Sequence, residues 1–275
     1  MARYHGVLDI WRDNTYYRAV RVDGTTPALF RASQPAPDAP LTVETLAGPD
    51  ATPTAVRILC ADVNLAPFYA VARADERLWA VVGPLYGVHH LQAETVFEAL
   101  CLVVIEQQIS LAAALRAQRA LAEWSGLFVE HHGDRYPLFP TPEQLAAADP
   151  ADLHAVLKIT HRRVGVLQHV ASQIVSNNLN LEALRSYPAA DTYKTLMAIK
   201  GVGHWTAAWT LIRGLSQYNY AAHNDVALRD AVAYYFFDSD ERISADAVAK
   251  VFTDYGNHAG LAAFYTLMAW AVAHY

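Results

Sequence analysis

Two glycines around one valine, Gly201-Val202-Gly203, separate two apolar helical segments and constrain this chain more than any other feature. Upstream, Thr195, Leu196 and Ile199 close a short amphipathic helix; downstream, a second helix begins at once from His204. Glycine tolerates positive φ without a Cβ clash, so the backbone can turn tightly here. The N–H groups that follow belong to a helix N-terminus, where they are orphan donors carrying partial positive charge. Backbone alone can hold a phosphate at such a place. Twenty residues after Trp205 comes Asp225, in Ala221-Ala222-His223-Asn224-Asp225, just before another helix. A phosphate-holding hairpin followed by a carboxylate on a loop points to chemistry on nucleic acid.

A net charge of −6 over 275 residues argues against a long non-specific grip on a polyanion. The distribution matters more than the sum. Residues 151–230, which carry the hairpin, hold 8 basic and 5 acidic groups and five histidines, so a few phosphate contacts from one face are reasonable. With 53% apolar and 17% charged residues the chain is globular, long enough for two domains or three small ones. It has no uncharged apolar run of about 18 residues and no apolar signal region after Met1-Ala2-Arg3-Tyr4-His5, so no membrane span is expected. Cys60 and Cys101 alone imply a reducing compartment, with Cys101 a small core hydrophobe. The expected location is the cytoplasm, at the nucleoid while acting.

Residues 4–46 read as strands: Gly6–Trp11, Thr15–Val22, Ala28–Arg31 after the Asp23-Gly24 turn, and Leu41–Leu46 beyond the Pro-rich break at Pro35–Pro40. Thr54–Val63 and Asp75–Val82 read as helices. From Thr95 the pattern is helical to the end. Thr95–Trp124 is interrupted by Glu106-Gln107-Gln108, and Thr141-Pro142-Glu143 gives a cap, a proline and an early acid. Helices follow at Asp152–Leu157, Arg162–Ser176, Thr192–Ile199, His204–Leu215, Val226–Phe236, Ala245–Tyr255 and Ala259–His274. The expected fold is mainly α, with a small N-terminal α+β domain over 1–88 and an all-helical region over 89–275. His89-His90 and His131-His132 lack a third ligand at a recognisable spacing and read as solvated loops.

Four motifs in order resemble the helix-hairpin-helix DNA glycosylase superfamily, and within it the 3-methyladenine DNA glycosylase II family. They are FEALCLVVIEQQIS (97–110), FPTPEQLAAADP (139–150), LMAIKGVGHWTAAW (196–209) and HNDVALRDA (223–231), and the resemblance covers about 180 residues from the first of them onward. The resemblance implies a helix-hairpin-helix glycosylase core, with the hairpin at about 192–215, a catalytic loop at about 216–225 and a C-terminal helix returning to the pocket. It makes Asp225 the anion beside the anomeric carbon. Trp205, Trp209 and Trp270 become pocket aromatics that select a cationic alkylated purine by stacking. Gln108 becomes the wedge that fills the hole left by an extruded base. Phosphate binding falls to the backbone at Gly201, Gly203 and His204, with Thr206 nearby. The carbonyls of Met197, Ile199 and Gly201 would hold a monovalent cation.

The slot where strand-nicking members carry a Schiff-base lysine holds Trp205 here, and Lys200 lies before the glycines, so water is the implied nucleophile. Two cysteines cannot supply the four-cysteine iron–sulfur site of the endonuclease branch, so no cofactor is expected. The implied partner of this monomeric enzyme is duplex DNA containing 3-methyladenine or 7-methylguanine. A silent damaged-DNA binder and a glycosylase for oxidised or mismatched bases are the rivals. Plainer roles stand beside each assignment: Asp225 as a helix N-cap, the tryptophans as core, Gln108 as part of a polar break. The family's loop usually has proline two residues before the aspartate; here it is His223, which removes a φ restraint and adds a titratable group.

Overall fold

The computed structural model describes residues 7–36 and 39–274. Met1–Gly6, including the start of the first expected strand, and Pro37-Asp38 of the Pro-rich break lie outside them. Strands β1 (Ile10–Arg12), β2 (Thr15–Val22), β3 (Thr26–Ser33) and β4 (Thr42–Ala47) form an antiparallel sheet in sequence order. Asp23 and Gly24 both take positive φ in the β2–β3 turn, as the Asp-Gly signal predicts. Helices α1 (Thr52–Ile58), α2 (Ala66–Arg73) and α3 (Glu76–Val82) follow, then α4 (Val96–Glu106) and α5 (Leu111–Ser125). The remainder comprises β5 (Phe128–His131), β6 (Asp134–Pro137), α6 (Pro142–Ala147), α7 (Pro150–Leu157), α8 (His161–Val175), α9 (Ala189–Ala198), α10 (His204–Leu215), α11 (Val226–Phe237), α12 (Ala245–Thr253) and α13 (Ala259–His274). The protein is mainly α with a small N-terminal antiparallel sheet. No described helix is long and apolar enough to cross a membrane.

The all-helical expectation for 89–275 is corrected by β5 and β6. They pair as a hairpin with His131 opposite Asp134, closed by His132 and Gly133, both at positive φ. The strands are short and charged, so their alternation is weak, and the turn signal His132-Gly133 was the readable cue. Tyr136 and Leu138 bury against Ala19 and Leu29 of the larger sheet. Helix α2 was also missed. Its eight residues carry a proline in the first turn, and Asn64 Oδ1 accepts the Ala66 N–H just before it.

The chain packs as two compact units, each made of two stretches: 1–61 with 93–183, and 62–92 with 184–275. The composition change near 88 lies inside the second. That unit's core joins Phe68, Tyr69, Leu78 and Val82 to Leu228, Val232, Phe252 and Tyr265, so α2 and α3 bury their apolar faces on α11 and α13. Tyr69 and Tyr265 meet hydroxyl to hydroxyl at 3.0 Å.

His90 is 5% exposed in this unit, edge-on to Tyr218 and Phe264, and its Nε2 donates to the Ile212 carbonyl at 3.0 Å. Burial depresses its pKa from 6.5 to about 4. The unfolded chain therefore binds the proton more readily, so this contribution to stability is complete above pH 6.5 and is lost as pH falls toward 4. From pH 6.5 to 5 the loss is about 2 kcal/mol. Urea unfolding of wild type and His90→Gln over that range checks it: the variant should lack this slope, and coincident slopes would remove the assignment.

Candidate active site

The hairpin forms as its glycines require, but they do different jobs. Helix α9 ends at Ala198, the Ile199 carbonyl accepts the Val202 N–H at 3.0 Å, and Gly201 takes φ +92°, which an L side chain rarely adopts. Gly203, at φ −105°, is the N-cap of α10, and a Cβ added there would meet nothing. No side chain caps the first turn of α10. Thr206 is buried and points no hydroxyl to solvent, so any phosphate contact here is made by backbone. His204 turns its ring inward: Nδ1 meets the Tyr193 hydroxyl at 2.9 Å and Nε2 donates to the Ala221 carbonyl at 2.8 Å.

Asp225 is the N-cap of α11, with Oδ1 accepting the Leu228 N–H at 3.1 Å. The capping reading is therefore correct as far as it goes. The second oxygen does more. Oδ2 accepts the Trp205 indole N–H at 2.6 Å and the Trp209 indole N–H at 3.3 Å. The i, i+4 spacing puts both rings on one face of α10, and three N–H donors then fix the carboxylate's orientation. Trp209 is 6% exposed and Trp205 half-buried. Sequence reasoning paired these tryptophans with a base and missed that their N–H edges serve the aspartate; the twenty-residue interval was the only signal.

The loop before Asp225 is held from behind by α13. Gly260 donates its N–H to the Tyr218 carbonyl at 2.7 Å, and a Cβ there would lie 3.0 Å from the carbonyls of Tyr218 and Tyr220. Only glycine lets helix and loop approach this closely.

Trp270 on α13 stacks on His274 at 3.5 Å and meets the edges of Tyr234 and Tyr235 of α11. Gln108 belongs to the other unit; it is exposed, at φ +55°, between α4 and α5. Left-handed backbone explains the break in the long helix. Met197 lies in the last turn of α9 and Ile199 is its C-cap, with Gly201 two residues beyond. Cys60 and Cys101 are both buried, and neither is in a disulfide among the described residues.

Comparison with known proteins then decides the family. The model of the HhH-GPD superfamily of base excision DNA repair proteins matches residues 101–255, more than half of the sequence. This chain belongs to the HhH-GPD superfamily. Within it, the chain is 36% identical over 154 residues to a DNA-3-methyladenine glycosylase of Bacillus subtilis (strain 168), covering 56% of this chain and 50% of that protein. It is 32% identical over 118 residues to DNA-3-methyladenine glycosylase 2 of Escherichia coli (strain K12), covering 43% and 40% respectively. The chain thus spans half or less of the length of these curated relatives. The solved structure of a 3-methyladenine DNA-glycosylase from Archaeoglobus fulgidus matches with a TM-score of 0.84 over 96% of this chain and 90% of that one. At 24% identity that likeness shows the HhH-GPD fold.

Proposed function

We propose that this HhH-GPD protein is a monofunctional DNA glycosylase of base excision repair. It takes alkylated purines out of duplex DNA and hydrolyses the N-glycosidic bond, leaving an abasic site. The observation that carries the reading is the double indole clamp on Asp225 Oδ2. A carboxylate fixed by donors that need not reorganise can stabilise the oxocarbenium charge that develops on the sugar, and can orient the attacking water. The N-terminus of α10, which no side chain caps, serves a neighbouring phosphate, and a monovalent cation on the carbonyls of 197, 199 and 201 would brace the hairpin. The names of the relatives support 3-methyladenine as a substrate, and the reading extends to 7-methylguanine because it too is a cationic purine. Half-buried Trp205 leaves ring surface to meet a cationic base. Gln108, exposed on its tight turn, is suited to fill the emptied stack. Position 205 offers no amine, so water is the nucleophile in this reading.

Release of free base from methylated duplex DNA, with strand nicking scored separately, tests this. Free 3-methyladenine should appear, and strands should break only after added alkali. No release at low salt would overturn the reading, and alkali-independent nicks would overturn its monofunctional part.

Trp205→Phe keeps a ring and removes the shorter hydrogen bond to Asp225. A bond to a charged acceptor contributes about 1.5–3 kcal/mol, so single-turnover release should fall about 10- to 100-fold. Trp209→Phe, at the longer distance, should fall less. An effect of Trp209→Phe exceeding that of Trp205→Phe would contradict the geometry.

A further inference from the structure

The loop that presents Asp225 is tied at two backbone positions. The Asp225 N–H donates to the Ala222 carbonyl at 2.8 Å, closing a turn whose first central residue is His223, and the His223 N–H donates to the Ala221 carbonyl at 2.8 Å. A proline at 223 would lose that second bond. The His223 ring lies on the His204 ring, centroids 4.0 Å apart and planes 30° from parallel. His204 is itself held on both nitrogens. Nε2 donates to the Ala221 carbonyl, which leaves Nδ1 to accept the Tyr193 hydroxyl proton. Tyr193 in turn stacks on Tyr220 at 4.2 Å, with planes 14° apart. Four rings from α9, the start of α10 and the loop therefore form one ladder beside residues 220–223.

We propose that His204 and His223 are positioning residues for Asp225, their stack and the His204–Ala221 hydrogen bond setting the loop that carries it. The inference rests on Asp225 being the carboxylate of the base-release reaction. It also gives that reaction a pH dependence. The groups facing the stack are Tyr193 of α9, Tyr220 and Asp246 of α12. Burial lowers the pKa of both imidazoles; His223 lowers that of His204 further, and Asp246 raises that of His223 in part. Neutral rings stack, whereas two cations 4.0 Å apart repel, so the loop loosens as pH falls below the ordinary imidazole range.

The test compares wild type with His223→Ala, His223→Phe and His204→Ala, each checked for folding by thermal melting. Single-turnover base release from methylated duplex DNA is read from pH 5 to 8, alongside amide hydrogen exchange of residues 221–225. His223→Ala should slow release about tenfold with DNA affinity unchanged, within the hundredfold that a small misplacement costs. His223→Phe keeps a ring that can stack and the N–H that donates to Ala221, so it should recover most of that loss and flatten the fall at low pH. Wild-type rates and pH profile in both alanine variants, or no rescue by phenylalanine, would overturn the proposal. The two readings fail separately. If Asp225→Asn releases base as fast as wild type, the catalytic assignment fails. Exchange then still decides the stack: faster exchange in His223→Ala than in His223→Phe supports it, and equal exchange removes it.

Discussion

Asp225→Asn should lower base release by about 10²–10³-fold, the range for loss of a pre-organised electrostatic contact of about 2.7–4 kcal/mol. Its stability should stay within about 1 kcal/mol of wild type, because asparagine caps a helix as well as aspartate. That contrast separates the two roles that meet in this side chain. The amide oxygen can still accept the Leu228 N–H, as Oδ1 does now. The amide NH2 would then face the N–H groups of Trp205 and Trp209, which offer no acceptor. The anion and the clamp disappear together while the cap survives. Single-turnover release and urea unfolding on the same preparation check this. Unchanged release would leave Asp225 as a cap alone. A large loss of stability would attribute the defect to folding.

The largest effect on stability is expected at the opposite end of the chain. Arg18 on β2 is 1% exposed, with its guanidinium 2.7 Å from Asp9 and 2.5 Å from Glu98; the Tyr16 hydroxyl also donates to Asp9. Glu94 lies buried nearby and accepts the Arg21 N–H at 2.6 Å. One cation thus serves two carboxylates within a core. Arg18→Met should cost about 3–5 kcal/mol, because it leaves buried acids without their counter-charge. Burial already raises the pKa of Glu98, against the pull of Arg18, and takes Glu94 up to about 7. Acids with raised pKa values contribute stability that is complete below the unfolded value, near 4.5, and is lost as pH rises through the folded one. The loss in Arg18→Met should therefore be greater at pH 8 than at pH 5.5, where the orphaned carboxyls can protonate. Arg18→Met/Glu98→Leu should recover part of it. Urea unfolding at the two pH values reads both effects, and an equal cost at both would contradict the buried-acid account.

Much of the molecule was legible before any coordinates. Thr15–Val22, His204–Leu215 and Ala259–His274 occur with the bounds their patterns predict, because strong periodicity and clear turn residues agree there. The hairpin glycine at 201, the cap at Asp225 and the break at Gln108 are local matters of backbone and spacing, and local chemistry is what a sequence displays. The hairpin β5–β6 is not legible in the pattern because two four-residue strands carry little alternation. Helix α2 was lost because its pattern is short and opens on a proline.

The sequence by itself determined the elements, the family motifs and the residue types at the site. Tertiary packing alone decided that residues 62–92 bury with 184–275, since an apolar helix face does not name its partner. Packing also carried Trp270 to Tyr234 and His274 and put His223 on His204. Most tellingly, it turned the N–H edges of Trp205 and Trp209 onto one oxygen of Asp225. A spacing of twenty residues brings an aspartate within reach of a tryptophan, but only the packed loop decides which edge of the ring it meets.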